Sequence, residues 1–187
     1  MGDLLLTFNA GSSTIKLGFY NITPDGHQLL ARGVIDFRDE PFEIRLNRDG
    51  HQINAPLTAA EDDLNAVLSQ AFGWLARHFD LAQLAVVGHR VVHGGDVFAG
   101  PTPITDETLA QIEDLAALAP LHQPQSLRLI RAMRQLYPDV PQSASFDTAF
   151  HATNAPIVRR FAIPRALHDR GIKRYGFHGL SYCYIAG

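Results

Sequence analysis

Cysteine is nearly missing from this chain. Cys183 is the only one in 187 residues, so no internal disulfide can form, and its place between Tyr182 and Tyr184 reads as packing rather than reactivity. Charge of one sign is missing too: 16 Lys and Arg stand against 19 Asp and Glu, a net charge of -3, with no acidic or basic block. A nucleic-acid partner normally needs a basic face to neutralise phosphates, so none is expected. No apolar run approaches the length of a membrane span, and Asp3 stands where a secretion signal would carry positive charge. The expected location is therefore the cytoplasm, with no membrane partner. With 46% hydrophobic and 19% charged residues and no repeats, the composition is that of a globular chain. It is long enough to bury a full core, as one domain or one domain plus part of another.

The chain is organised around residues 4–20, LLLTFNAGSSTIKLGFY. Leu4, Leu5, Leu6 and Phe8 read as a buried strand, and Ile15, Leu17 and Phe19 alternate on one face of a second. Asn9, Ala10, Gly11, Ser12, Ser13 and Thr14 lie between them as a tight hairpin connection. Two readings stand side by side. One is an ordinary Asn/Gly/Ser turn. The other is a cradle for a phosphate oxygen, with free backbone N–H groups, small hydroxyls, the Lys16 ammonium, and Gly11 allowing close approach. The G-x-x-x-x-G-K-[ST] phosphate loop is absent, and strand follows strand where that motif needs a helix.

Further along, Thr23-Pro24-Asp25-Gly26 signals a turn before a third strand over 28–37. A shorter hairpin is expected over 43–53 about Arg48-Asp49-Gly50. Thr58 with Glu61 suggests a capping box, after which Leu64, Val67, Leu68, Ala71, Phe72, Leu75 and Phe79 recur at helical spacing. Residues 84–87 form a short apolar strand covered on both faces and ended by Gly88. A second helix starts near Thr105 and stops at Pro120, a third spans about 124–136, and a brief strand over 143–146 delivers Asp147. A short helical segment is expected over 165–170, and 182–186 opens another helix. The order βββ, hairpin, α, β, α, α, β predicts an α/β fold with a mixed sheet and polar residues gathered at strand ends.

Three polar clusters sit at those ends: His89-Arg90 with His93, Asp147 with His151, and His178. Taken singly, each is accounted for by a surface ion pair, a helix cap or a solvated loop. Together with the hydroxyl-rich turn they supply the parts for phosphoryl transfer: a phosphate cradle, a cation clamp, a metal-binding carboxylate and hydrogen-bond donors. A zinc site using His89 and His93 is the competing use, without a thiolate or helical pattern to support it.

Five runs carry a family resemblance. Asn9-Ala10-Gly11-Ser12-Ser13, Gly88-His89-Arg90-Val91-Val92-His93-Gly94-Gly95, Ala119-Pro120-Leu121-His122, Phe146-Asp147-Thr148-Ala149-Phe150-His151 and Arg174-Tyr175-Gly176-Phe177-His178-Gly179 resemble the motif series of acetate kinases, in that order and over nearly the whole chain. The resemblance implies the sugar kinase, Hsp70 and actin superfamily, with its ribonuclease H-like βββαβαβα domain. A first such domain is expected over 1–150 and the start of a second, nucleotide-side domain over 151–187.

The resemblance further implies reversible transfer of the ATP γ-phosphoryl to acetate, giving acetyl phosphate and ADP, with Mg2+ as cofactor and a homodimer as the full-length assembly. Carried over by motif, Asp147 and Asn9 would position Mg2+ through water. Arg90 would hold the substrate carboxylate and the phosphoryl in flight, with His178 donating to that group and His122 assisting. Asn9, Ser12, Thr14 and Lys16 would form the phosphate-side turn, and Val92, Leu121 and Phe177 the pocket for the acetate methyl.

Departures from the family pattern are Thr14 for a third serine, Gln123 and Ser126 for asparagines, Asn154 and Ala155 after His151, and Tyr182 for histidine. The family's second half, with its adenosine loops, a further arginine and a glutamate on the magnesium side, is not in these residues. The 187 residues alone are therefore expected to be inactive, with apolar sheet surface uncovered near 4–8 and 144–146. The alternatives are a propionate or butyrate kinase, or a non-catalytic binding domain of the same fold.

Overall fold

A computed structural model describes residues 3–38, 41–60 and 62–186. The first strand, β1 (Leu4–Ala10), pairs antiparallel with β2 (Thr14–Thr23), which turns into β3 (Gly26–Asp36). The hairpin of β4 (Glu43–Arg48) and β5 (His51–Pro56) continues the sheet outward. On the other side of β1 lie β6 (Leu84–Val91) and β8 (Gln142–Phe146), both parallel, and the two-residue β7 (Thr102–Pro103) closes that edge. The sheet order is β5-β4-β3-β2-β1-β6-β8-β7.

Period-two alternation decides which face each side chain takes. Leu4, Leu6, Phe8, Ile15, Leu17 and Phe19 are buried with α1 (Leu64–Leu75) and α3 (Gln123–Leu136). A second cluster joins Val91, Ala144 and Phe146 to Leu127 and Ile130 of α3 and Ile112 of α2 (Asp106–Asp114). Each of these large side chains contributes about 1.5–3 kcal/mol on leaving water. The chain ends with α4 (Arg165–Asp169) and α5 (Gly179–Ala186).

Several expectations are corrected. The cap of α1 is Asp63, whose carboxylate accepts from the Ala66 N–H. Thr58 lies too early for that role and bonds Gln70 instead, while Glu61 lies outside the described residues. The same helix ends at Leu75, and Phe79 reaches the core from the following turn by stacking on Phe19 at 4.2 Å. Strand β6 does not stop at Gly88 but runs on to Val91, because Asn9 and Ser145 pair with Arg90 from either side. Nor is the uncovered sheet face apolar near 4–8 and 144–146. Leu4, Leu6, Phe8, Ala144 and Phe146 all point at the helices and are buried, leaving Thr7, Asn9, Lys16, Gly88, Arg90 and Ser145 along the open side. Exposed apolar side chains gather later, with Ile157, Tyr184 and Ile185 the most accessible of them.

Candidate active site

Parallel strands β1, β6 and β8 end on the same side of the sheet, the side where polar loops of open α/β sheets collect ligands. Asn9 and Arg90 are register partners near those ends, Ser145 is the next partner across, and Asp147 follows directly on β8. Arg90 donates from Nε to both oxygens of Asp147 at 3.2 Å and from Nη2 to Oδ2 at 2.6 Å. Its Nη1 donates to the Asn9 Oδ1 at 2.8 Å. Charge-assisted, forked pairing of this kind is strong and directional. Three of the guanidinium's five N–H donors are thereby used, and the other two have no partner among the described residues.

Asp147 is buried, and its Oδ2 also accepts the His178 N–H at 3.2 Å. His178 has a φ of 57°, a left-handed conformation that is uncommon outside glycine. Next to it, Gly179 presses on the Asp147 carbonyl so closely that a Cβ there would collide with the oxygen. Asn9, Lys16, Arg90, Ser145 and His178 share a groove of about 940 Å³. Its sheet wall is polar, and its far wall is formed by Leu180, Tyr184 and Ile185 of α5.

The other expected site residues are dispersed. Thr14 lines a neighbouring groove with Lys16, Asp36, Arg38 and Arg45. Ser12 lies on a smaller cavity beside Leu64 and Arg128. The turn does not offer all its amides, since Gly11 donates its N–H to the Thr14 carbonyl at 2.7 Å. Val92 is buried, Leu121 is 80% exposed, and Phe177 is half-exposed with its ring edge toward His93 at 6.0 Å. His122 sits at the N-cap of α3 without a side-chain cap bond.

The zinc reading is not supported. His89 turns to the helix side, bonded to the Gln142 Oε1 at 2.8 Å and stacked on Phe8. His93 Nδ1 accepts the Gly95 N–H, and burial pushes the His93 pKa down, against a smaller upward pull from Asp96. Among the described residues no cluster of three His, Cys, Asp or Glu could hold a metal ion.

Four supporting residues escaped the sequence reading. Gln123 brackets the His93 backbone, accepting from its N–H and donating to its carbonyl. Thr148 accepts the buried Gly94 N–H at 2.8 Å. Asp96 receives both Arg159 and Lys173, and Tyr175 packs edge-on to His93 at 4.6 Å. Burial opposes ionisation of Asp96, but the hydrogen bonds from Lys173 and Arg159 outweigh it and hold the carboxyl below its ordinary range. Thr148 and Tyr175 lie inside the motif runs and Gln123 and Asp96 directly follow them, which is the only sequence signal they carry.

This strand order and the strand-end pair define a ribonuclease H-like domain of the sugar kinase, Hsp70 and actin superfamily. Among solved structures, a propionate kinase from Francisella tularensis superposes with a TM-score of 0.87 at 34% identity, over 99% of this chain and 47% of that one. Acetate kinase from Porphyromonas gingivalis gives 0.82 at 30% identity, over 97% and 46%. The model of the acetokinase family matches residues 4–187, and the chain belongs to that family. An acetate kinase of Rhodopseudomonas palustris is 44% identical over 193 residues, covering 100% of this chain and 48% of that protein. A propionate kinase of Citrobacter rodentium is 39% identical, over 100% and 46%. The chain thus spans about half the length of the curated relatives it matches.

Proposed function

We propose that these residues form the carboxylate-side half of a kinase that transfers the γ-phosphoryl of ATP to acetate, giving acetyl phosphate and ADP in the cytoplasm. The observation that carries this reading is Arg90. Held by Asp147 and Asn9 at the floor of the groove, it keeps two donors to spare. Acetate arrives as its own nucleophile and needs no general base, so catalysis is positioning and charge compensation. Arg90 takes one carboxylate oxygen and the equatorial charge of the phosphoryl. His178 donates to the same group from the groove wall, His122 assists from the loop before α3, and Lys16 draws the phosphates toward β2. Val92, Leu121 and Phe177 close around the methyl when the loops that carry them come together.

Magnesium finds one carboxylate here, Asp147, with the Asn9 amide oxygen beside the same guanidinium. Both Asp147 oxygens already accept hydrogen bonds, a donor set that fits an ion keeping most of its own water. When bound, Mg2+ would neutralise charge on the phosphate oxygens. Propionate is a reading of equal chemistry, since propionate kinases match this chain as acetate kinases do. The full-length assembly is proposed to be a homodimer, and the 187 residues by themselves to be inactive for want of an adenosine site.

The test expresses the protein from its intact gene and traps acyl phosphate with hydroxylamine in ATP, Mg2+ and each short carboxylate. Arg90→Ala should cut turnover by about a hundredfold or more, because it removes an interaction that strengthens in the transition state. Absence of acyl phosphate with every carboxylate would refute the reading.

A further inference from the structure

One residue of the Asp147 cluster has no part in the chemistry above. His151 ends the short 3-10 turn Asp147–His151 that follows β8. Its Nε2 lies 3.0 Å from the carbonyl oxygen of Phe177. A carbonyl can only accept, so Nε2 carries the proton and donates. That carbonyl belongs to the same peptide group as the His178 N–H, which donates to the Asp147 carboxylate at 3.2 Å. A single peptide plane is therefore gripped at both ends by two side chains from one short turn.

Packing leaves this imidazole little freedom. The rings of Phe150 and Tyr182 stand at 5.2 and 5.7 Å from it, both nearly perpendicular. Gly176 lies so close that a Cβ at that position would fall against the ring atoms. The peptide it grips precedes His178, whose left-handed φ of 57° is uphill for a non-glycine residue and persists only where its surroundings impose it. Donation to the carbonyl also polarises the peptide, which strengthens its N–H as a donor to Asp147.

We propose that His151 is a positioning residue, clamping the Phe177–His178 peptide from its carbonyl side while Asp147 holds the amide side, and so aiming the His178 ring into the groove. The inference rests on the phosphoryl-transfer reading for its kinetic consequence and on geometry alone for its structural one. Small misplacements of a group at a reacting centre cost up to about a hundredfold in rate.

The experiment compares wild type, His151→Leu, which fills the space without a donor, and His151→Gln, whose side-chain amide reaches the same carbonyl. In the protein from the intact gene, H151L should lower kcat by about tenfold or more, with KM for acetate and ATP within about twofold. It should also speed hydrogen exchange at the His178 amide, and H151Q should restore most of both. Should H151L not fold, His151→Asn, whose amide is too short to reach, takes its place. Wild-type kcat and exchange in H151L, or an H151Q as impaired as H151L, would overturn the proposal. Were the wild type to make no acyl phosphate, the functional reading alone would fall, and amide exchange would still decide the clamp.

Discussion

His89 makes the protein sensitive to mild acid in a way that can be worked out from its surroundings. The ring is buried, stacked on Phe8 at 5.5 Å, and bonded through Nε2 to the Gln142 amide. Its Nδ1 has no partner among the described residues, so a second ring proton would be buried without an acceptor. Burial accordingly pushes the pKa from an ordinary 6.5 down to about 4, against a smaller upward pull from the Gln142 hydrogen bond. Since the folded value lies below the unfolded one, the unfolded chain binds the proton first. The contribution of His89 to stability is complete above about pH 6.5 and is lost as pH falls toward 4. Over the whole window the loss is roughly 3 kcal/mol, and between about pH 8 and pH 5 roughly 2 kcal/mol. Urea unfolding across that range should show the decline, and His89→Gln, which keeps a partner for Gln142 and cannot titrate, should flatten the curve by up to one proton. An NMR titration reads the same quantity directly. A His89 that titrates at 6 or above, or equal pH slopes in wild type and variant, would refute the reasoning.

Two further perturbations probe the frame and the pocket. Thr148→Val keeps the shape but removes the acceptor of the buried Gly94 N–H, and should cost about 1–3 kcal/mol by urea unfolding; a loss near zero would mean that the amide finds another partner. Val92→Ala should raise the specificity constant for propionate relative to acetate by about tenfold, since a methylene in such a pocket is worth about 1–3 kcal/mol. An unchanged ratio would place Val92 outside the acyl pocket.

Strands and helices with a strong local period are legible in the amino-acid order itself: residues 4–20 declare their hairpin, and 64–75 their helix. What escapes is decided by partners far away in sequence. Strand β6 reads as ending at Gly88 because His89 and Arg90 close the apolar run. Yet His89 Nε2 finds its partner in Gln142, 53 positions on, and Arg90 Nη1 finds Asn9, 81 positions back. No window spans such pairs. The two residues of β7 are too few to show a period. Asp147, Arg90 and His178 can be grouped from their places at strand ends, but their separate roles come only through the motif series they belong to. Geometry then unites these three with Asn9 and Lys16, and leaves Leu121 and His122 on an exposed loop. The supporting roles of Thr148 and Gln123 do not show in the amino-acid order, since a hydroxyl or amide that satisfies a buried backbone group looks the same in sequence as one facing water.

The grip of Asp147 on both Arg90 and the His178 amide bears on how freely the molecule can open. Arg90 belongs to the sheet, while His178 lies in the segment that follows β8, just before α5. Any swing that lifted the later segment away from the strand ends would have to break a hydrogen bond to a charged carboxylate, worth about 1.5–3 kcal/mol. That bond alone biases the equilibrium toward the closed arrangement by roughly tenfold to somewhat over a hundredfold. The Asp96 ion pairs with Arg159 and Lys173 and the His151 bond to the Phe177 carbonyl tie the same segment down, so opening would break several contacts at once.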